Sequence, residues 1–237
     1  MVSVPRPIQA ATFTSNNVAR LTDSYGNQIG CVTFVRYDEN TVVGVTTIQA
    51  LAGLPRGSDA FYVCFSENPD RFWETWDHIS YDYVRRVSAR DVLLKGYVVG
   101  NPTGGFTSDM VFISLYDETK IPDGIPLYRE DLGNNQPVDM IGFNGPHDPD
   151  FGPTTAVCEA MNNVAGVKCI SSAKVCKVEH NKLSHSNFTT MLSRGSALLI
   201  NGCVVGIQLY DQTARLLVNR CEKPHTHEYE TYPGNAF

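Results

Sequence analysis

Short runs of apolar residues, mostly β-branched or aromatic, alternate with turn residues along the chain, and helical periodicity is scarce. Gly, Pro, Asn or Asp bounds each run, which is typical of strands in a sandwich or barrel. The clearest runs lie at residues 30–35, 41–45, 60–65, 110–115, 138–143, 197–200 and 204–209. Asn201-Gly202 lies between the last two runs and predicts a hairpin turn, because both residues tolerate a positive φ. The pattern therefore predicts an all-β protein.

The strand runs fall into two groups, separated by a stretch with several Pro and Asp residues. We predict an N-terminal β-barrel at residues 1–117 and an interdomain linker at residues 118–135. A C-terminal β-barrel then follows at residues 136–221, and a polar surface tail at residues 222–237.

Composition and charge exclude several classes of protein. The 237 residues are 42% hydrophobic and 19% charged, a balance that rules out a disordered or collagen-like chain. A net charge of -6 argues against a nucleic-acid partner, since such proteins usually carry a basic stripe. We expect no membrane span, because no run approaches the roughly 18 apolar residues that a span needs.

The cysteines and the first residues bear on the compartment. There are seven cysteines, an odd number, and none forms a C-x-x-C pair, which disfavours a structural zinc site. The first residues lack the apolar core of a signal peptide. We therefore favour an intracellular, reducing environment over secretion, while a removed leader or excision from a precursor stays open. The glycosylation triplet at Asn187 would matter only in a secreted protein.

Three segments, taken in order, resemble the chymotrypsin-like (trypsin-like) serine protease fold. Residues 41–51 (TVVGVTTIQAL) look like the family strand that ends in V-L-T-A-A-H-C. Residues 108–115 (SDMVFISL) are similar to N-D-I-A-L-I-x-L, and residues 192–207 (LSRGSALLINGCVVGI) to G-D-S-G-G-P-L-V-x-x-G-x-x-V-G-I. Residues 136–143 stand where the family has its G-x-x-x-x-x-G-W-G strand. The resemblance covers most of residues 20–220 and implies two antiparallel six-stranded β-barrels.

The resemblance also implies a catalytic site, and the residues at the matched positions depart from it. The reaction needs a Ser nucleophile, a His base and an Asp that orients the His. The His position falls on Ile48, or on Gln49 if the strand carries one extra residue, and neither accepts a proton near neutral pH. Asp109 matches the Asp. The nucleophile position falls on Arg194, whose guanidinium cannot attack a carbonyl. Inside the cleft Arg194 would pair with Asp109; on an exposed loop it would not.

Neighbouring positions depart from the family as well. Leu192 replaces the oxyanion-hole Gly, and Ser193 replaces the Asp that binds a freed N-terminus in vertebrate-type members. Asp211-Gln212 predicts a short hairpin where the family builds a long wall of its specificity pocket. Because viral and bacterial relatives share that abbreviation, a viral polyprotein origin is a serious possibility.

Three functions follow from these observations. The first is a catalytically inactive protease homologue, a pseudoprotease that acts by binding a protein or as a structural or regulatory component. The second is an active peptidase with a rearranged site, with Ser196 or Cys203 as nucleophile and His78 as a conceivable base. The third is an unrelated β-rich capsid or adhesion module. We expect no cofactor and no metal; the alternative metal ligands are His225, His227 and Glu228.

Overall fold

The computed structural model describes residues 3–9, 12–39, 41–65, 83–88, 109–113, 122–145, 166–179 and 181–217. In chain order the strands are β1 (Arg6–Pro7), β2 (Val18–Thr22), β3 (Gln28–Asp38), β4 (Thr41–Thr47), β5 (Ala60–Phe65), β6 (Tyr83–Ser88), β7 (Met110–Ile113), β8 (Ile125–Pro126), β9 (Pro137–Phe143), β10 (Lys168–Glu179), β11 (Lys182–His185), β12 (Ala197–Ile200), β13 (Cys203–Tyr210) and β14 (Thr213–Leu216). Helix is confined, in these ranges, to single turns: α1 (Phe13–Asn16), α2 (Ile48–Leu51) and a 3-10 helix (Met191–Ser193). None of these helices is long and apolar enough to cross a membrane.

The first sheet contains six antiparallel strands in the order β6-β5-β2-β3-β4-β7. Its two outer strands, β6 and β7, do not pair with each other in the part of the chain that the structure describes. The sheet is therefore a half-barrel, where the sequence predicted a closed six-stranded barrel. The residues on either side of β6 and β7, which would have to complete the closure, lie outside the described ranges.

The second sheet closes on itself. Its order is β10-β11-β14-β13-β12-β9, and β9 pairs back to β10 from Lys168↔Phe143 to Lys174↔Pro137. This is the six-stranded antiparallel barrel that the sequence predicted. β1 pairs with β10 and so adds a strand to the second sheet. Residues 6–7 therefore belong to the second sheet, although in sequence they come before all strands of the first sheet.

Two short segments tie the sheets together. β1 pairs with β10, and the chain then runs through α1 into β2 of the first sheet. Within the stretch predicted as a linker, β8 pairs in parallel with β3, and Leu127 next to it bridges to Val204 on β13. Both segments that cross between the sheets therefore pair with strands of the folded structure.

Apolar clusters explain why the two sheets pack as one body. The first sheet encloses its own cluster, which includes Phe34 and Phe61, and the barrel encloses another around Leu183 and Leu198. A third cluster joins residues of both sheets: Val18, Val45 and Phe112 from the first, and Ile141, Ala197 and Ile207 from the second. Burial of one Val, Ile or Phe side chain contributes about 1.5–3 kcal/mol. This shared cluster therefore stabilises the packing of the two sheets against each other.

The two predicted hairpin turns are confirmed. Asn201 and Gly202 have φ values of 52° and 75° and connect β12 to β13. Asp211, at φ 45°, begins the two-residue turn that connects β13 to β14. The turn chemistry of Asn-Gly and the short spacing of apolar runs were sufficient to locate both.

A candidate site at the junction of the two sheets

The helix α2 places the residues matched to the catalytic His. Thr47 ends β4, and its Oγ1 accepts a hydrogen bond from Ala50 N at 3.1 Å, which caps the helix. Ile48 N donates to the Asp109 carbonyl at 3.2 Å, so the start of the helix is fixed against the residue before β7. Gln49 is the next residue in this turn and is partly exposed.

The segment before β12 places the residue matched to the catalytic Ser. Ser193 is fully buried; its Oγ accepts from Thr190 N at 2.8 Å and donates to Thr190 O at 2.7 Å. Ser193 thus stabilises the 3-10 turn from within. The side chain of Leu192 packs on Gly145, where an added Cβ would lie 2.6 Å from Leu192 Cδ1.

Gly195 fixes the register of this segment against the first sheet. Its φ is +89°, and a Cβ built on it would lie 1.9 Å from the Cys31 carbonyl oxygen, so only glycine fits. The residue before it, Arg194, accepts a hydrogen bond on its carbonyl from Cys31 N at 2.7 Å. These contacts hold the main chain of residues 194 and 195 against Cys31 of β3.

Arg194 meets Gln49 across the junction between the sheets. Arg194 Nη1 donates to the Gln49 carbonyl at 3.4 Å. Two further polar atoms, Arg194 Nε and Gln49 Oε1, are buried and have no hydrogen-bond partner. Arg194, the residue matched to the nucleophile, therefore contacts the main chain of Gln49, one of the two residues matched to the His.

Asp109 pairs with Arg215, not with Arg194. Arg215 Nη1 lies 3.5 Å from Asp109 Oδ2, and the two side chains are 15% and 19% exposed. The suggested ion pair between Arg194 and Asp109 was wrong, because the carboxylate of Asp109 pairs with Arg215 on β14. Sequence reasoning missed Arg215: nothing local relates it to a residue 106 positions earlier in the chain.

Ser196, the alternative nucleophile, lies between the two sheets and contacts Cys31 of β3. It is fully buried, and its Oγ donates to Cys31 Sγ at 3.4 Å. A Cβ built on Gly142 would lie 1.7 Å from the Ser196 Oγ, so the hydroxyl fills the space above that glycine. The thiol also accepts from Phe143 N at 3.3 Å, and burial raises its pKa.

His185 is the one histidine among the residues that the structure describes; His78, His147, His180, His225 and His227 lie outside them. Asn187 N donates to His185 Nδ1 at 3.2 Å, so Nε2 carries the proton and donates to Gln208 Oε1 at 2.7 Å. Burial lowers the pKa of this imidazole to about 4, against a smaller opposing effect of Gln208. His185 is therefore a neutral member of a buried hydrogen-bond network.

The same network fastens the β13–β14 hairpin. The Asp211 carbonyl accepts from Gln208 Nε2 at 2.6 Å and from Thr189 Oγ1, and His185 N donates to the Gln212 carbonyl at 3.0 Å. The short hairpin is thereby tied to the segment that leads to Arg194. Cys203, the other suggested nucleophile, begins β13 at the Asn201-Gly202 turn and is partly exposed.

Two remaining sequence features concern modification and metals. Asn187, in the glycosylation triplet, is fully buried; its Oδ1 accepts from Ser171 Oγ at 3.0 Å, and its Nδ2 donates to Val138 O at 3.4 Å. A glycan cannot be attached there in the folded protein. Within the described ranges no three His, Cys, Asp or Glu side chains cluster as metal ligands, and His225, His227 and Glu228 lie outside these ranges.

The closed barrel, the half-barrel and the junction between them define a chymotrypsin-like two-barrel fold. Among solved structures, the chain is similar to neuropsin, a serine protease expressed in the limbic system of mouse brain. That match has a TM-score of 0.57 and 10% identity and covers 89% of this chain and 93% of neuropsin. A mutant of human heparin binding protein matches with a TM-score of 0.60 and 9% identity over 90% of each chain. No family model and no curated protein matches the sequence. At such identities the likeness shows the fold alone.

Proposed function

We propose that this chain is a non-catalytic protein of the chymotrypsin-like fold that acts by binding another protein. The observation that carries the proposal is the contact between Arg194 and Gln49. A guanidinium stays protonated and an amide cannot take up a proton near neutral pH, so the pair offers neither a nucleophile nor a base.

The position of the matched Asp supports the same proposal. In a catalytic site the Asp orients an imidazole and stabilises the charge that develops on it. Here Asp109 is neutralised by Arg215, a partly buried partner that no proton transfer requires. The carboxylate thus has a structural use that is independent of catalysis.

The leading catalytic alternative uses Ser196. A serine nucleophile needs a neighbouring base and an accessible oxygen. Ser196 Oγ is fully buried and donates to a thiol whose own pKa is raised, and a protonated thiol does not act as a base. These contacts favour binding over catalysis as the function.

The fold neighbours do not decide between the two functions. One is named as a serine protease and another is named for binding heparin, so the same two-barrel fold accompanies different printed descriptions. Our proposal therefore rests on the residues of the junction. We also propose a viral origin, because the hairpin at Asp211-Gln212 is short, as it is in viral and bacterial relatives of the fold.

We also propose an intracellular location. Among the described residues, Cys31, Cys176 and Cys203 carry free thiols, and Cys31 is buried. The buried Asn187 agrees with a chain that is not glycosylated at this triplet.

Labelling by active-site probes tests the proposed function. The folded protein is treated separately with a fluorophosphonate, for which trypsin is the positive control, and with a thiol-directed peptidase probe, for which papain is the positive control. We expect no stoichiometric labelling by the fluorophosphonate and no hydrolysis of a mixed fluorogenic peptide library. Labelling that disappears in Ser196→Ala, or in Cys203→Ala, together with hydrolysis, would overturn the proposal.

A further inference from the structure

We propose that the junction between the two sheets is a binding site for an acidic segment of a protein partner, with Arg194 as its anchor. The inference rests on the proposed function, because it assigns a ligand chemistry to the positions that have lost the catalytic side chains. The argument depends on the charge at the junction, on two unsatisfied polar atoms, and on the access that a ligand would have.

Among the residues that the structure describes, the guanidinium of Arg194 has no carboxylate partner. Asp109, the nearest matched carboxylate, pairs with Arg215 instead. The Arg194 guanidinium donates to the Gln49 carbonyl at 3.4 Å, a long distance for such a bond. A guanidinium in this situation attracts a carboxylate, to which it can donate two parallel hydrogen bonds.

Two buried polar atoms at the same place lack partners. Arg194 Nε is an unused donor, and Gln49 Oε1 is an unused acceptor. Buried groups of this kind cost about 1–3 kcal/mol each when unsatisfied. A ligand that turns the two side chains toward it and supplies the missing partners therefore gains from both. An acidic residue within a peptide has the required pair of groups: a side-chain carboxylate for Arg194 and a main-chain N–H for Gln49 Oε1.

Parts of the Arg194 and Gln49 side chains lie at the surface of the protein. Arg194 and Gln49 are each partly exposed, whereas their neighbours Ser193, Gly195 and Ala50 are buried. Met191, three residues before Arg194, is 66% exposed, a large fraction for an apolar side chain. An apolar side chain of the partner next to its acidic residue would cover Met191 and exclude water from the new ion pair.

The test is a titration followed by NMR with the full 237-residue chain. The probe is N-acetyl-aspartate N-methylamide, which presents one carboxylate between two peptide groups, and the matched control probe is N-acetyl-asparagine N-methylamide. The Arg194 Nε–Hε resonance is assigned by its loss in Arg194→Lys. We expect a saturable shift of this resonance by the aspartate probe, with a Kd of about 1–10 mM, and a response at least about tenfold weaker to the asparagine probe.

Variants identify the groups that bind. Arg194→Gln should weaken binding about tenfold or more, and Gln49→Met should weaken it by about two- to fivefold. Arg36→Gln is the matched control, and it should leave binding unchanged. Arg36 is exposed on β3, and its guanidinium donates to the Asp123 carbonyl. Thermal unfolding of each variant checks that it is folded.

Several outcomes would overturn the inference: no saturable shift up to about 100 mM probe, equal responses to both probes, or unchanged binding in folded Arg194→Gln. A failure of this kind leaves the labelling result untouched, so the absence of catalysis can stand while the acidic ligand is rejected. Labelling of Ser196 would instead remove the proposed function whatever the titration shows.

Discussion

The hydroxyl of Ser196 donates a hydrogen bond to the thiol of Cys31 across 3.4 Å, and both side chains are fully buried. Cys31 lies on β3 of the half-barrel and Ser196 directly precedes β12 of the closed barrel. The bond therefore joins the two sheets. Gln28 extends the connection, since its Nε2 donates to the Phe143 carbonyl at 3.1 Å and the Leu192 carbonyl at 3.0 Å. Side chains in the centre of the molecule thus hold the sheets together.

Gly142 and Ser196 should show compensating effects on stability. A Cβ at position 142 would lie 1.7 Å from Ser196 Oγ and 2.5 Å from its Cβ, but 3.4 Å from its Cα. Gly142→Ala should therefore destabilise the protein by about 2 kcal/mol or more, because the serine side chain has no space to move into. Urea unfolding gives the free energy of unfolding.

The double variant provides the control. Ser196→Gly removes the two closest atoms, so Gly142→Ala in that background should cost less than about 1 kcal/mol further. Additive effects of the two substitutions would show that Ser196 does not occupy the space above Gly142.

The pair of Asp109 and Arg215 should appear as a coupling energy. Its side chains are 19% and 15% exposed, so the pair lies between a solvated surface pair and a fully buried one. Asp109→Asn or Arg215→Met alone should lower the free energy of unfolding by about 1–3 kcal/mol, because each leaves an uncompensated charge. The double variant should lose less than the sum, and a sum that is fully additive would contradict the pairing.

The sequence was sufficient for the two hairpins and for seven of the described strands: β3, β4, β5, β7, β9, β12 and β13. Alternation of apolar and turn residues locates strands, and Asn-Gly and Asp-Gln spacing locates turns, because both signals are local.

Contacts between residues that are far apart in sequence could not be predicted from these local signals. Arg215 and Arg194 are both arginines near matched motifs, and nothing in the sequence states which of them reaches Asp109. The strand β1 gave no signal of its own, since two residues that pair with β10 leave no periodicity.

His185 should make the protein less stable in acid. In the folded state burial lowers its pKa to about 4, whereas the unfolded chain binds a proton near the ordinary value of 6.5. The unfolded state therefore holds more protons between these two values, and stability falls as the pH decreases from about 6.5 to about 4. Since one pKa unit corresponds to about 1.4 kcal/mol, the loss attributable to His185 is about 3 kcal/mol.

A difference measurement isolates this histidine from the carboxyl groups that titrate nearby in pH. The free energy of unfolding is measured from pH 7.5 to pH 4 for the natural protein and for His185→Gln. The variant should be less stable at pH 7.5, and the gap between the two proteins should shrink as the pH falls. A constant gap over this range would mean that the pKa of His185 is the same in the folded and the unfolded protein, and would contradict the effect of its burial.

Restoring two catalytic side chains should not restore catalysis. Gln49→His combined with Arg194→Ser places a base and a nucleophile at the positions that face each other in the structure. Two features still oppose the reaction. Arg215 neutralises the carboxylate that would orient the new imidazole, and Ser193 and Leu192 hold the preceding turn as a 3-10 helix. We expect hydrolysis of casein and of fluorogenic peptides to remain within about tenfold of the rate without protein, because the oxyanion hole and the orienting group each contribute several orders of magnitude. Adding Arg215→Ala frees Asp109 and is the most permissive form of the test. Turnover of the triple variant well above that level, lost again in Asp109→Asn, would show that the junction needs only its side chains back to act as a peptidase.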